Sequence, residues 1–194
     1  IASIGEAWVA LGAGVKAGCL SFAGPGKSDG EIEAALKNGV PVTLESEGEA
    51  ERVLRIAAAK DGRPVLMVRV NPDFELRGSG MRMGGGAKPF GVDAERVPAL
   101  VRRIVEAGVE FRGFHIYAGS QSLDADAIIE AQAATIALAA RLSEESGVRP
   151  ATLNLGGGFG IPHFAGETAL DVERVGAELE AAYAARPAVL RETG

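Results

Sequence analysis

A chain of 194 residues, 47 % apolar and 24 % charged, is long enough to bury one sizeable core, and its length favours a single domain. A net charge of −6, 5 % aromatic residues and the lack of a dense Lys/Arg patch leave nucleic-acid binding without the basic face it needs. No run reaches the roughly eighteen uninterrupted apolar residues of a membrane span. The single cysteine, Cys19, excludes an intrachain disulfide framework and fits a reducing, cytoplasmic compartment.

The chain starts without Met, in IASIGEAWVALGAG, which has no basic leader, and it stops on the apolar run AVLRETG. It is expected to be an internal piece of a longer protein. Ser3-x-x-Glu6 has the spacing of a capping box and opens a first helix. CLSFAG, 19–24, reads as a strand. Ser28-x-x-Glu31 repeats the box, VPVTLES (40–46) is the next strand, and Ser46-x-x-Glu49 opens a third helix. VLMVRVNP (65–72) is a strand, followed by a glycine-rich loop over 78–91. Beyond Asp93, the residues Val97, Leu100, Val101 and Ile104 share one helical face. FRGFHIYAG (111–119) is a strand, and Leu123 to Ser146 a helix stopped by Gly147. TLNLGGG (152–158), a helix over 170–185 and AVLRET (188–193), read as a strand, complete the chain.

The short apolar runs lack strict alternation and suit strands buried on both faces, as in parallel sheets. Six such strands alternating with helices predict an α/β architecture, which a doubly wound sheet and a (β/α)8 barrel both satisfy. A helical segment follows nearly every strand, and the candidate polar residues sit at strand C-terminal ends. Both features favour the barrel. Six strands do not close one, so the expectation is an incomplete (β/α)8 TIM barrel.

LNLGGGFG, 153–160, puts Gly156, Gly157 and Gly158 directly after an apolar run. Glycines at the C-terminal end of a barrel strand let successive amides turn toward one anion with no Cβ in the way. A tight βα turn explains the same residues. His115 lies within a strand run, where a satisfied core histidine is the simpler reading. Ser120 suits a helix cap or a phosphate ligand. Glu192 ends an apolar run, where a carboxylate is seldom buried without a partner. No metal site is expected.

GFHIYAGSQ, LNLGGGFGIP, the LRETG ending, ASIGE and GPGKSDGEIEAAL together resemble the fold-type III pyridoxal-phosphate decarboxylases, on an alanine-racemase-like barrel. That group includes the diaminopimelate, ornithine and arginine decarboxylases. The stretch VRVNPDFELRGSGMRMGGGAKPFGVDAERVPAL resembles the branch associated with exosortase systems. The likeness runs over essentially the whole chain, from the end of strand two to strand eight of the barrel. It implies pyridoxal 5′-phosphate as cofactor, an amino-acid substrate and a homodimeric full-length protein.

The resemblance also implies roles. His115 matches the histidine stacked on the cofactor ring, and Ser120 a serine contacting the cofactor. Gly156, Gly157 and Gly158 match the phosphate-binding turn, and Glu192 the partner of the pyridine nitrogen. Gly194 matches the Gly of a Glu-x-Gly-Arg phosphate motif. Glu6 and Arg69 match buried polar positions near the cofactor lysine, although the capping box accounts for Glu6 as well. The family's lysine stands in a Tyr-x-x-Lys-Ala context that this sequence lacks; Lys16, Lys27, Lys37, Lys60 and Lys88 all have other settings. A decarboxylase-like protein that binds without catalysing, and an unrelated barrel binding a phosphorylated metabolite, are the rival readings.

Overall fold

The computed structural model describes residues 1–60, 62–74, 81–82 and 90–194; most of the glycine-rich stretch 78–91, Lys88 included, lies outside them. Helix α1, Ile4–Gly12, is capped by Ser3, whose hydroxyl accepts from the Glu6 amide. Glu6 does not close the box: its carboxylate accepts from the Ala2 amide at 2.7 Å. In place of a strand over 19–24 stand a 3-10 turn, Ala17–Cys19, and one parallel bridge from Phe22 to Val42. Between Gly18 and Gly24 only Phe22 finds ladder partners, its amide donating to Pro41 and its carbonyl accepting from Thr43. Cys19, expected inside that strand, is exposed in the turn.

Helix α2, Asp29–Lys37, has the complete Ser28–Glu31 capping box. Strand β1, Val42–Leu44, leads into α3, Glu47–Ala59, and β2 spans Val65–Asn71. Two short strands follow, β3 at Met81–Arg82 and β4 at Val92–Asp93. Helix α4, Val97–Glu106, starts with Pro98 in its first turn, where the missing N–H costs nothing. Strand β5 covers Glu110–Ile116 and β6 Gly119–Ser120. Helix α5, Ala125–Ser146, is capped by Asp124 and ends on Gly147 in the left-handed conformation. Strand β7, Thr152–Asn154, precedes α6, Val172–Ala184, capped by Asp171.

The main sheet runs β1-β2-β5-β7, wholly parallel, with β4 pairing the end of β2; β3 and β6 form a separate antiparallel ribbon. One face packs on the helices. Val42, Leu44, Leu66, Val68, Phe114 and Ile116 join Ile32, Val53, Val101, Ile104 and Leu142 in a single buried cluster. The other face is polar: the Ser21 and Thr43 hydroxyls bond at 2.7 Å, beside Met67, and the next pleat brings Arg69 level with His115 and Asn154. Helices on one face and polar groups on the other are the pattern of a barrel wall, since a doubly wound sheet is covered on both sides.

A β-bulge sets this alternation. Leu66 pairs with Phe111 but Met67 pairs with Gly113, so Arg112 is an extra residue in β5. Gly113 is required there, because a Cβ on it would overlap the Thr152 carbonyl of β7.

Residues 188–193 do not form the expected strand. Ala188–Leu190 is a 3-10 turn after Pro187, and only Gly194 joins the sheet, its amide donating to Ala151 and its carbonyl accepting from Leu153, each at 2.9 Å. Apolar content alone drew the strand reading. Leu190 does bury, with a relative exposure of 1 %, but it packs from a turn rather than a ladder.

Candidate functional site

The glycine turn is held from two directions. Asn154 accepts the Gly156 amide at 2.9 Å through its side chain, while Gly158 O accepts from Ser122 N at 3.0 Å and Gly160 N donates to Ser122 O at 2.8 Å. The three glycines are not equivalent. Gly156 has φ +73° and a Cβ there would come within 2.6 Å of the Tyr117 ring. Gly158 has φ +95° and a Cβ would overlap the Gly119 carbonyl oxygen. At Gly157 a Cβ would meet nothing within 4 Å. The fold therefore demands Gly156 and Gly158, whereas a side chain at Gly157 would enter open space.

Ser120 belongs to this turn. It follows Gly119 in β6, pairs with Met81, and would lie 3.3 Å from a Cβ on Gly158. Behind the turn a cavity of about 120 Å³ is lined by Gln132 and Thr135 of α5 and by Leu179 of α6. The Oε1 atom of Gln132 is buried with no partner among the described residues.

His115 and Arg69 face the same side as ladder partners of β5 and β2. The Nδ1 atom of His115 is buried without a hydrogen-bond partner among the described residues. Burial first, and the neighbouring Arg69 charge second, push the imidazole from its ordinary 6.5 down to about 4, with Glu45 pulling the other way. It is neutral at pH 7, and the stability this carries is whole above the unfolded value of 6.5 and lost as pH falls toward 4. His115→Gln should remove that acid-side slope, worth about 3 kcal/mol at most, relative to the parent protein. Urea denaturation on both sides of the window measures it; an unchanged slope would place the acid lability elsewhere.

Arg69 is almost fully buried and lies 4.8 Å from the Phe90 ring centroid and 5.8 Å from that of Tyr117. It donates to Glu45 at 3.2 Å. Beneath this pair, buried Lys27 donates to Glu49 at 3.1 Å and to the carbonyls of Gly24 and Thr43. Burial holds the Lys27 ammonium below its ordinary value, against the raising pull of Glu49 and Glu45.

Of the expected site residues, the structure brings His115 together with Arg69, and Ser120 with Gly156–Gly158. Glu6 is exposed and satisfied by the helix start. Glu192 is exposed in the turn after Leu190, and Gly194 sits beside Ala151–Leu153, the opposite end of β7 from the glycine turn. Sequence reasoning missed Glu45 and the Lys27–Glu49 pair. The Ser46-x-x-Glu49 spacing concealed them: Ser46 does accept the Glu49 amide, but the Glu49 carboxylate turns to Lys27 and the Glu45 amide instead of closing the box.

The chain is similar to known proteins in sequence and in fold. The family model described as "Pyridoxal-dependent decarboxylase, pyridoxal binding domain" matches residues 1–193. L-glutamyl-[BtrI acyl-carrier protein] decarboxylase of Niallia circulans is 34% identical over 177 residues, 90% of this chain and 41% of that protein. Diaminopimelate decarboxylase of Methanothermobacter thermautotrophicus is 31% identical over 181 residues, 91% of this chain and 41% of its own length. The crystal structure of Helicobacter pylori diaminopimelate decarboxylase complexed with L-lysine superposes with a TM-score of 0.83 at 28% identity, covering 93% of this chain and 46% of that one. The chain thus spans less than half the length of these relatives. The sheet, with helices on one face and polar groups on the other, is that of an incomplete TIM barrel, and the chain belongs to the pyridoxal-dependent decarboxylases as their pyridoxal-binding domain.

Proposed function

We propose that this chain is the cofactor-binding part of a pyridoxal 5′-phosphate-dependent decarboxylase acting on an amino acid of the diaminopimelate or ornithine type. The observation that carries the reading is the glycine turn, whose middle residue opens to solvent while its neighbours are locked to the loop after β5. Gly156, Gly157, Gly158 and Ser120 would hold the phosphate, and His115, neutral at pH 7, would take the ring side together with its ladder partner Arg69. When bound, the ring withdraws electrons from the substrate's α-carbon, so that the bond to the carboxylate can break. Glu192 is the group assigned to the ring nitrogen and Gly194 to the phosphate; reaching the turn requires residues 190–194 to pair higher along β7 than the contact with Ala151 and Leu153. The resemblance supports a cytoplasmic homodimer. Phe159, Ile161 and Phe164, exposed beside the glycine turn, offer apolar surface for it.

The second reading is a protein of this fold that binds the cofactor without decarboxylating. Titrating the full-length protein with pyridoxal phosphate, with absorbance and mass after borohydride reduction, tests both. A single reducible adduct with release of carbon dioxide from an amino acid supports the enzyme. An adduct without release supports the binder, and the absence of an adduct overturns both.

A further inference from the structure

We propose that Glu45 is a positioning residue of this site, holding Arg69 and the two loops on either side of it in the arrangement that the His115 side of the mouth needs. The functional consequence rests on the pyridoxal-binding reading; the structural assignment does not. Glu45 directly follows β1 and is 4 % exposed. Its carboxylate collects donors from three separate parts of the chain. Oε1 accepts the Gly24 amide at 2.6 Å and Arg69 Nη1 at 3.2 Å, and Oε2 accepts the Gly91 amide at 3.0 Å. An ionised carboxylate offers about four acceptor sites, so three donors nearly saturate it.

The support below Glu45 is equally specific. Its own amide donates to Glu49 at 2.8 Å, Glu49 is paired with Lys27, and Lys27 returns to the Gly24 carbonyl at 2.5 Å. Gly24 is thereby held at both its N–H and its C=O by one connected network. Gly91 allows the approach from the other side: at φ +79°, a Cβ there would be 3.0 Å from Arg69 O and Asn71 N.

Above Glu45, the consequence passes through Arg69. The guanidinium lies near the Tyr117 ring, and the Tyr117 ring is the group that abuts Gly156. Arg69 is also the ladder partner of His115. A contiguous series of contacts runs from Glu45 through Arg69 and Tyr117 to the border of the glycine turn. The turn itself has independent anchors in Asn154 and Ser122, so losing Glu45 disturbs the ring side and spares the phosphate cradle.

Glu45→Gln in the full-length protein keeps the shape and removes the charge; its amide nitrogen cannot accept from either glycine. Pyridoxal phosphate affinity should fall about tenfold, with inorganic phosphate affinity unchanged and Glu45→Asp recovering part of the loss. Equal losses for both ligands, or unchanged pyridoxal phosphate binding, would overturn the assignment. Should the parent protein bind no pyridoxal phosphate, the functional reading fails and ligand-free spectra decide the rest. A protected Arg69 Nη1–H resonance and slow Gly24 and Gly91 amide exchange in the parent, all lost selectively in Glu45→Gln, uphold the positioning role. Their persistence in the variant rejects it.

Discussion

Gly158→Ala should cost about 3 kcal/mol or more of stability, while Gly157→Ala, one residue away, should cost almost none. The difference is geometric. Gly158 sits at φ +95°, where an L side chain is strained, and its added methyl would overlap the Gly119 carbonyl. That carbonyl cannot retreat easily, since β6 is paired with β3 and Ser122 is bonded to both Gly158 and Gly160. Against the total of roughly 5–15 kcal/mol typical of a domain, the loss is large enough to see in any denaturation curve. At Gly157 the methyl enters open space, and restricting the unfolded chain offsets any small cost. The same Gly157→Ala change should weaken pyridoxal phosphate binding, because the methyl occupies the cradle. Urea titrations of both variants beside ligand titrations of Gly157→Ala separate the two demands. A Gly157→Ala protein as unstable as Gly158→Ala would mean that the whole triplet serves the turn alone.

The second large effect is expected at Lys27→Met. Removing one member of a buried ion pair leaves the other charge without its counter-ion, at about 3–5 kcal/mol. Here the group left behind is Glu49, only 6 % exposed, whose remaining cationic contact among the described residues is the longer one to Arg52 Nη2 at 3.6 Å, and the Gly24 and Thr43 carbonyls lose a donor as well. The double variant Lys27→Met with Glu49→Met removes both charges and should regain a good part of the loss. Recovery stays incomplete because the Glu45 amide then lacks its acceptor, a deficit of about 1–3 kcal/mol. Chemical denaturation of the single and double variants measures this. A double variant less stable than the sum of its singles would show that the network, not the pair, carries the energy.

Most of the scaffold was legible because its signals are local. Asp124 and Gly147 bracket α5, and the Ser28–Glu31 box closes as its spacing requires. The run at 65–71 is a strand whose β-branched and apolar residues stand almost without break, and in 110–116 Phe111, Phe114 and Ile116 supply the buried face. What was not legible depends on partners far along the chain. Lys27 and Glu49 are twenty-two residues apart, and Glu45 reaches Gly91 across forty-six. Nothing in the spacing of those residues marks them as neighbours. The 188–193 segment failed for a related reason: a strand exists only where a neighbouring ladder receives it, and β7 receives only Gly194. The glycine turn stood between these cases. Its position was readable, but the division of duty among its three residues needed the Tyr117 and Gly119 neighbours.

Arg112 gives the site one more property. As the supernumerary residue of β5 it works as a phase shifter: every side chain after it points to the face opposite the one a regular strand would give it. His115 looks into the mouth, and Phe114 and Ile116 into the helices, only on that account. Substitutions along this strand therefore alter one face at a time, chemistry or core. Loss or gain of a single residue there exchanges the two wholesale.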